Sequence, residues 1–334
     1  MVDQISSRRD FSVQLREKAS KALESRVDDW TDAKTLKEKV CVYTTGSFGR
    51  EDACEHSDLD VFVTSRVASF SGERLLTGLE EIELCASIIG MNRDIDLPDI
   101  DADGGFLKAH SASEYLIGLG KPSDDANNTF TGRLLLLLES KCLFGKGVYE
   151  NIIEECIERY WIDYADHSST FIPAFLMNDI LRFWRTLCIN YEAGTHHSPA
   201  KRRAKNFKLK FSRLLTCYSV IIGLQVRLCE EGSVSKEQAK KLVSMRPLER
   251  IDIAKAHGAS SNVNAIREMY EFFLVETNCS KSALYDKMSD EEYYGKTLES
   301  ARQFGDEIFQ LIRTLSKHDV QGSPSWRFLR YITV

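Results

Sequence analysis

Two aspartates one residue apart, Asp58 and Asp60, follow a short glycine segment, Gly46-Ser47-Phe48-Gly49-Arg50. Side chains along a strand alternate between its faces. An extended Asp58–Val63 segment therefore points both carboxylates the same way, with Cα atoms about 6.5 Å apart. Leu59, Val61 and Val63 then point the other way, into an apolar layer. Carboxylate oxygens on one face suit hard divalent cations such as Mg²⁺ or Mn²⁺. Two such ions roughly 3.5–4 Å apart are the usual arrangement for phosphoryl transfer. Gly46 and Gly49 let the backbone approach a phosphate with no Cβ in the way. Ser47 adds a hydroxyl, Arg50 a cation, and amides at the start of a following helix an anion site. Either half alone says little, since D-x-D also marks a solvated strand face and G-S-x-G a plain turn. Joined, they describe a site for the triphosphate of a nucleotide.

The elements that must hold these residues are legible in outline. Residues 8–28 carry apolar side chains at helical spacing, and 31–38 fit a second short helix. Lys39–Tyr43 is β-rich, 44–50 is a glycine turn, and 59–63 reads as a second strand. Residues 71–90 return to a helical period. The stretch 93–110 reads as a strand, a tight turn at Asp103-Gly104 and another strand, interrupted by Pro98. Beyond about 111 strand signals vanish, and helical patterns cover 112–119, 129–144, 148–164, 171–192, 203–231 and four further segments up to 317. The expected fold class is α+β. A small α/β catalytic domain over 1–125 precedes a larger helical domain over 126–334 that closes the nucleotide cleft, with 120–128 as the linker.

This layout resembles the DNA polymerase β-like nucleotidyltransferase superfamily, whose hallmark is G-S followed after about ten residues by an apolar-flanked D-x-D. Gly46, Ser47, Asp58 and Asp60 match that hallmark one by one. The resemblance implies a third carboxylate on a later strand, which helps activate the attacking hydroxyl. Asp94, Asp96, Asp99, Asp101 and Asp103 are all candidates. The segments YTTGSFGR, HSDLDVFV, PDIDADG and NDILRFWRT also resemble a bacterial subgroup of nucleotidyltransferases, whose P-x-x-x-x-D-G element maps onto Pro98 to Gly104. That favours Asp103, with Asp101 and Asp96 behind it. The bland reading of Asp103-Gly104 is a hairpin turn.

The superfamily also implies cations from a helical lobe on the β- and γ-phosphates. The most basic stretch, KRRAKNFKLKFSR over 201–213, offers Lys208, Lys210 and Arg213, with Phe207 and Phe211 facing the core. The alternative is a solvated helix face paired with Asp179 or Glu192. Arg133 and Glu139 are expected to pair around a buried helix, and His196-His197 to lie on the surface. The implied reaction moves a nucleoside monophosphate from an NTP or dNTP to an acceptor hydroxyl and releases pyrophosphate. The acceptor would be an oligonucleotide or nucleotide signal, as in antiviral defence. The alternatives are a protein or tRNA target, as in nucleotidyltransferase toxins, and a silent nucleotide-binding regulator.

Bulk composition bounds these readings. With 334 residues the chain is long enough for two domains. A net charge of −6 argues against a general nucleic-acid coat protein. Nine scattered cysteines without a C-x-x-C pair suggest neither a zinc cluster nor a disulfide framework, and fit a reducing cytoplasm. The N-terminus has no apolar run that would form a signal peptide. The longest apolar run, Leu134–Leu138, is far short of the roughly 18–20 residues that span a bilayer. No membrane is expected, while a partner effector or a homo-oligomer is compatible with the chain.

Overall fold

A computed structural model of the chain describes residues 3–28, 30, 33–68, 73–98, 100, 107–126, 128–193, 198–316 and 320–333. The chain divides into two compact units, Met1–Arg159 and Tyr160–Val334.

The first unit opens with helix α1 (Gln4–Asp28) and helix α2 (Ala33–Lys39). In α1 the apolar positions Phe11, Leu15, Ala19, Leu23 and Val27 recur every fourth residue, which gathers them into one stripe on the unit's core. Strand β1 (Val40–Thr44), helix α3 (Gly46–Arg50) and strand β2 (Val61–Ser65) follow. Helix α4 (Gly78–Asp94) begins at a capping box: Thr77 Oγ1 accepts from the Glu80 amide, and the Glu80 carboxylate accepts from the Thr77 amide. Then come β3 (His110–Ser111), α5 (Ala112–Ile117), α6 (Pro122–Ala126), α7 (Thr129–Glu139), β4 (Lys141–Phe144) and α8 (Lys146–Tyr160).

The four strands form one mixed sheet in the order β3-β2-β1-β4, with β2–β1 and β1–β4 antiparallel and β2–β3 parallel. Val40 and Val42 of β1 and Val61 and Val63 of β2 pack with α1 and α4 on one sheet face. The other face carries an aromatic layer. Tyr43 stacks on Phe62 at 5.7 Å, Phe62 on His110 at 6.1 Å, and Tyr43 lies 5.9 Å from Tyr149. The Tyr43 and Tyr115 hydroxyls are 3.1 Å apart, so the layer's polar tips satisfy one another.

Two expectations fail in this unit. The helical pattern over 129–144 stops at Glu139: Ser140 is extended, and Lys141–Phe144 pairs with β1 instead. An open edge of β1 offers the backbone a full ladder, and this outweighs a local helical preference worth only tenths of a kcal/mol per residue. Residues 93–97 are not a strand either. Helix α4 runs through Asp94, held at its end by Arg26, whose Nε and Nη2 donate to the Asp94 carboxylate at 2.7 and 2.9 Å. Asp96 follows in a turn with φ +54°. Segment 120–128 lies inside the first unit, where Asp124 makes a fully buried ion pair with Arg133 at 2.6 Å.

The second unit is helical in its described residues: α9 (Tyr164–His167), α10 (Ala174–Ala193), α11 (Pro199–Lys208), a π-turn at Leu209–Arg213, and α12 (Leu214–Glu231). They are followed by α13 (Lys236–Ser244), α14 (Pro247–Asp252), a 3₁₀ segment at Ile253–His257, α15 (Ser260–Glu276), α16 (Lys281–Ser289), α17 (Glu291–Leu315) and α18 (Pro324–Thr333). Phe207 and Phe211 do face its core, where Phe211 stacks on Phe273 at 5.1 Å and on Phe304 at 4.6 Å. Among the described residues, the helical run Pro199–Glu231 is long and apolar enough to cross a membrane, and 78% of its apolar window is buried inside the protein. The architecture is α+β, with a small sheet near the N-terminus and a helical region after it.

Candidate active site

The glycine turn and the aspartate pair are distant in sequence by little, and the β1–β2 ladder closes that gap. In the antiparallel register Thr44 lies opposite Val61, so the next residues out, Thr45 and Asp60, face each other. The Thr45 amide donates to the Asp60 carbonyl at 2.9 Å, and Thr44 Oγ1 donates to the same carbonyl at 3.0 Å. Asp60 is thus pinned by its backbone while its side chain is exposed. Leu59 between the two aspartates is 4% exposed and belongs to the apolar core, whereas Asp58 is half-exposed. Burial therefore alternates along 58–61 as expected of an extended chain. The hydrogen-bonded strand begins only at Val61, two residues later than its expected start at Leu59. The reason is that β1 ends at Thr44, the residue opposite Val61.

Beyond Thr45 the chain turns at Gly46, whose φ of +64° is the left-handed conformation that a Cβ disfavours. A Cβ built there would overlap Asp60 Oδ2. The turn and the carboxylate therefore occupy space that only glycine leaves free. Ser47 is the single partly exposed residue between Val40 and Asp52. A Cβ at Gly49 would collide with the backbone carbonyl of Glu139, so this glycine serves a close approach of α3 to the end of α7. Helix α3 closes at Glu51, with φ 61°, and the Asp52 amide donates to the Ser47 carbonyl at 2.9 Å.

Arg50 lies beneath this turn. Its Nε donates to Asp52 Oδ2 at 2.9 Å and its Nη1 to Glu139 Oε2 at 2.8 Å, with side chains only 8%, 9% and 0% exposed. In this position the guanidinium braces α3 against α7. Helix α1 holds the next loop: Arg8 Nη1 donates to the Asp52 carbonyl at 3.0 Å, the Ala53 amide to Ser12 Oγ at 3.0 Å, and Arg16 Nη1 to Glu51 Oε1 at 2.6 Å. A Cys54–Ser57 turn then delivers Asp58: the Ser57 amide donates to the Cys54 carbonyl and the Cys54 amide to Ser57 Oγ. Thr44, Thr45, Arg8 and Ser12 were not singled out from sequence. Only the Thr-Thr pair directly before Gly46 carried any signal there, because hydroxyl residues flanking a turn often bond its backbone.

The two accessible carboxylates fit a hard divalent cation by the chemistry of their oxygens. Among the described residues no group of three His, Cys, Asp or Glu side chains is arranged to hold a metal. The favoured third carboxylate, Asp103, lies outside the described residues, as do Asp99 and Asp101. Asp94 is engaged by Arg26, which holds its carboxyl below the usual range by hydrogen bonding. His110, on the aromatic face beside Phe62, has its imidazole pushed below the usual range, chiefly by burial.

The expected phosphate cations belong to the second unit. Lys208 is exposed, and Lys210 and Arg213 are partly exposed within the π-turn or next to it. Burial raises the Cys188 thiol, and the Lys210 charge opposes that rise. Asp179 is engaged within the second unit, where the Tyr160 hydroxyl donates to its Oδ2 at 2.7 Å and Arg182 pairs with its Oδ1 at 3.5 Å. His196 and His197 lie outside the described residues, and Arg133 and Glu139 form the buried pairs given above.

No curated protein and no solved structure matches the chain. A family comparison does match, over a span that runs through β1, α3, β2 and α4. It supports the nucleotidyltransferase superfamily: residues 29–98, which carry Gly46, Ser47, Asp58 and Asp60, match the nucleotidyltransferase domain.

Proposed function

We propose that the chain transfers a nucleoside monophosphate from an NTP or dNTP to an acceptor hydroxyl, with release of pyrophosphate. The observation that carries this reading is the fit of Asp60 Oδ2 into the space left by the missing Cβ of Gly46. The glycine turn and a carboxylate whose oxygens suit a divalent cation are there built as one piece. The family match over the same residues supports nucleotidyl transfer in general.

In this reading Gly46 and Ser47 hold the nucleotide phosphates through backbone amides and the Ser47 hydroxyl, while Gly49, whose amide donates to the Thr45 carbonyl at 3.1 Å, serves the packing of α3 instead. Asp58 and Asp60 would hold Mg²⁺ or Mn²⁺, and such ions, when bound, neutralise phosphate charge and polarise the α-phosphate. Asp103, with Asp101 and Asp96 as the alternatives, takes the proton of the acceptor hydroxyl. The acceptor oxygen then forms its bond to the α-phosphorus as the bond to the pyrophosphate oxygen breaks. Arg50 acts beneath the turn, fixing α3, rather than on the nucleotide. Lys208, Lys210 and Arg213 are further phosphate-binding candidates on the second unit. An oligonucleotide or small nucleotide is the preferred acceptor, the product being a nucleotide signal of the kind used in antiviral defence.

The test is incubation of the chain with labelled NTPs and dNTPs and Mg²⁺ or Mn²⁺. A nucleotide ladder or cyclic species is the expected product, and label on a macromolecule would replace this acceptor by a protein or tRNA. Asp58→Ala with Asp60→Ala should abolish product while leaving the far-UV circular dichroism and unfolding midpoint near those of the wild type. Undiminished turnover in that double variant would refute the proposal.

A further inference from the structure

A cavity of about 210 Å³ lies within the first unit, beyond the end of β2 opposite to the aspartates. It is lined by Arg66, Val67 and Ala68 after β2, by the start of α5, and by one face of α8. Asp60 and Arg66 are separated by the whole of β2, roughly 20 Å of extended chain. The cavity is therefore distinct from the proposed nucleotide site.

Its lining sorts by accessibility. Ala112, Leu116 and Ile152 are buried and apolar, and they form the inner part. Arg66 and Asn151 are exposed and Glu155 is half-buried, so polar and charged groups ring the opening. Asn151 and Glu155, four residues apart on α8, share one helix side. Among the described residues neither Arg66 nor Glu155 makes an ion pair, although they feel each other's charge. Burial pushes the Glu155 carboxyl up, and Arg66 is the first charge that opposes this. Ser113 adds a hydroxyl, held 2.8 Å from Ser111 Oγ.

Opposite charges at one opening, left without direct partners, select a ligand by its charge pattern. A neutral ligand would take hydration from both groups and offer neither a charge of its own in return, which is costly. An anion would meet Glu155, and a cation would meet Arg66. A small zwitterion satisfies both. Size points the same way, because the cavity is smaller than the roughly 300–1,000 Å³ of pockets that bury drug-sized ligands.

We propose that this cavity binds a free α-amino acid with an apolar side chain, its carboxylate on Arg66 and its ammonium on Glu155. The side chain enters among Ala112, Leu116 and Ile152, with Asn151 and Ser113 completing the polar contacts. Each additional CH₂ buried there strengthens binding by about fourfold, so leucine binds more tightly than alanine.

The experiment is titration calorimetry of the intact chain with L-leucine and L-alanine, and with the leucine analogues that lack one charge, 4-methylpentanoate and isopentylamine. The expected result is binding of leucine, weaker binding of alanine, and at least a tenfold loss with either analogue. Arg66→Gln and Glu155→Gln, at accessible positions, should each weaken leucine binding at least tenfold with an unchanged thermal melt. No heat with any amino acid, analogues that bind as well as leucine, or binding indifferent to both substitutions would overturn the proposal. A nucleoside that binds here in place of amino acids would overturn it too. None of these readings depends on nucleotidyl transfer, so the two proposals stand or fall separately.

Discussion

Gly46→Ala, made alone and together with Asp60→Ala, asks whether the turn and the carboxylate are one structural unit. Alanine at φ +64° costs about 1–2 kcal/mol, because its Cβ crowds the following carbonyl in the left-handed region. The new Cβ also overlaps Asp60 Oδ2, whereas Asp60 Cβ stays at 3.8 Å, an ordinary contact. A carboxylate can rotate away where a backbone carbonyl cannot, and an off-rotamer side chain costs about 0.5–1.5 kcal/mol. Gly46→Ala should therefore destabilise the chain by about 1.5–3.5 kcal/mol. With Asp60→Ala in place the overlap is gone, and only the backbone part, about 1–2 kcal/mol, remains. The two changes should couple by about 0.5–1.5 kcal/mol. The assay is a four-protein urea series without metal, read by hydrogen exchange of the β1 and β2 amides so that opening of this sheet is what is measured. Additivity within about 0.3 kcal/mol, or a neutral Gly46→Ala, would refute the argument from occupied space. The same displacement of the carboxylate should weaken Mn²⁺ binding in Gly46→Ala.

Three further outcomes follow from the surrounding scaffold. Gly49→Ala places its Cβ against the Glu139 backbone carbonyl, which cannot turn aside, so its cost should reach about 3 kcal/mol in the same urea assay and, unlike that of Gly46→Ala, should not be relieved by Asp60→Ala. Arg50→Ala leaves the Asp52 and Glu139 carboxylates buried without their cation and should cost about 3–5 kcal/mol; Arg50→Lys should recover only part, because an ammonium lacks the fork that serves both. His110 is held neutral by burial, so its folded pKa lies below the ordinary value of 6.5. As pH falls through that value the unfolded chain takes up the proton first, and stability declines from there toward the lower folded pKa. Urea midpoints at pH 7.5 and 5.5 should diverge less in His110→Gln than in the wild type, and equal divergence would discount the effect.

By itself the sequence displayed the candidate site residues and determined the broad class. Glycine at 46 and 49, the D-x-D pair and the apolar residues flanking it are local signals, set by what a backbone turn and an alternating strand require. The stripe of α1, the capping box of α4 and the core-facing Phe207 and Phe211 are local in the same sense. Tertiary structure decided what depends on partners far along the chain. Lys141–Phe144 becomes a strand only because β1 offers an open edge. Arg50, which reads as a phosphate ligand beside the glycines, is taken by Asp52 and by Glu139 at the end of α7. Asp94 ends a helix rather than lining a strand because Arg26 of α1 reaches it. Spacing shows which residues can act. Which of them are spent on holding the fold is settled by long-range pairing, whose energies exceed the local preferences that a sequence displays.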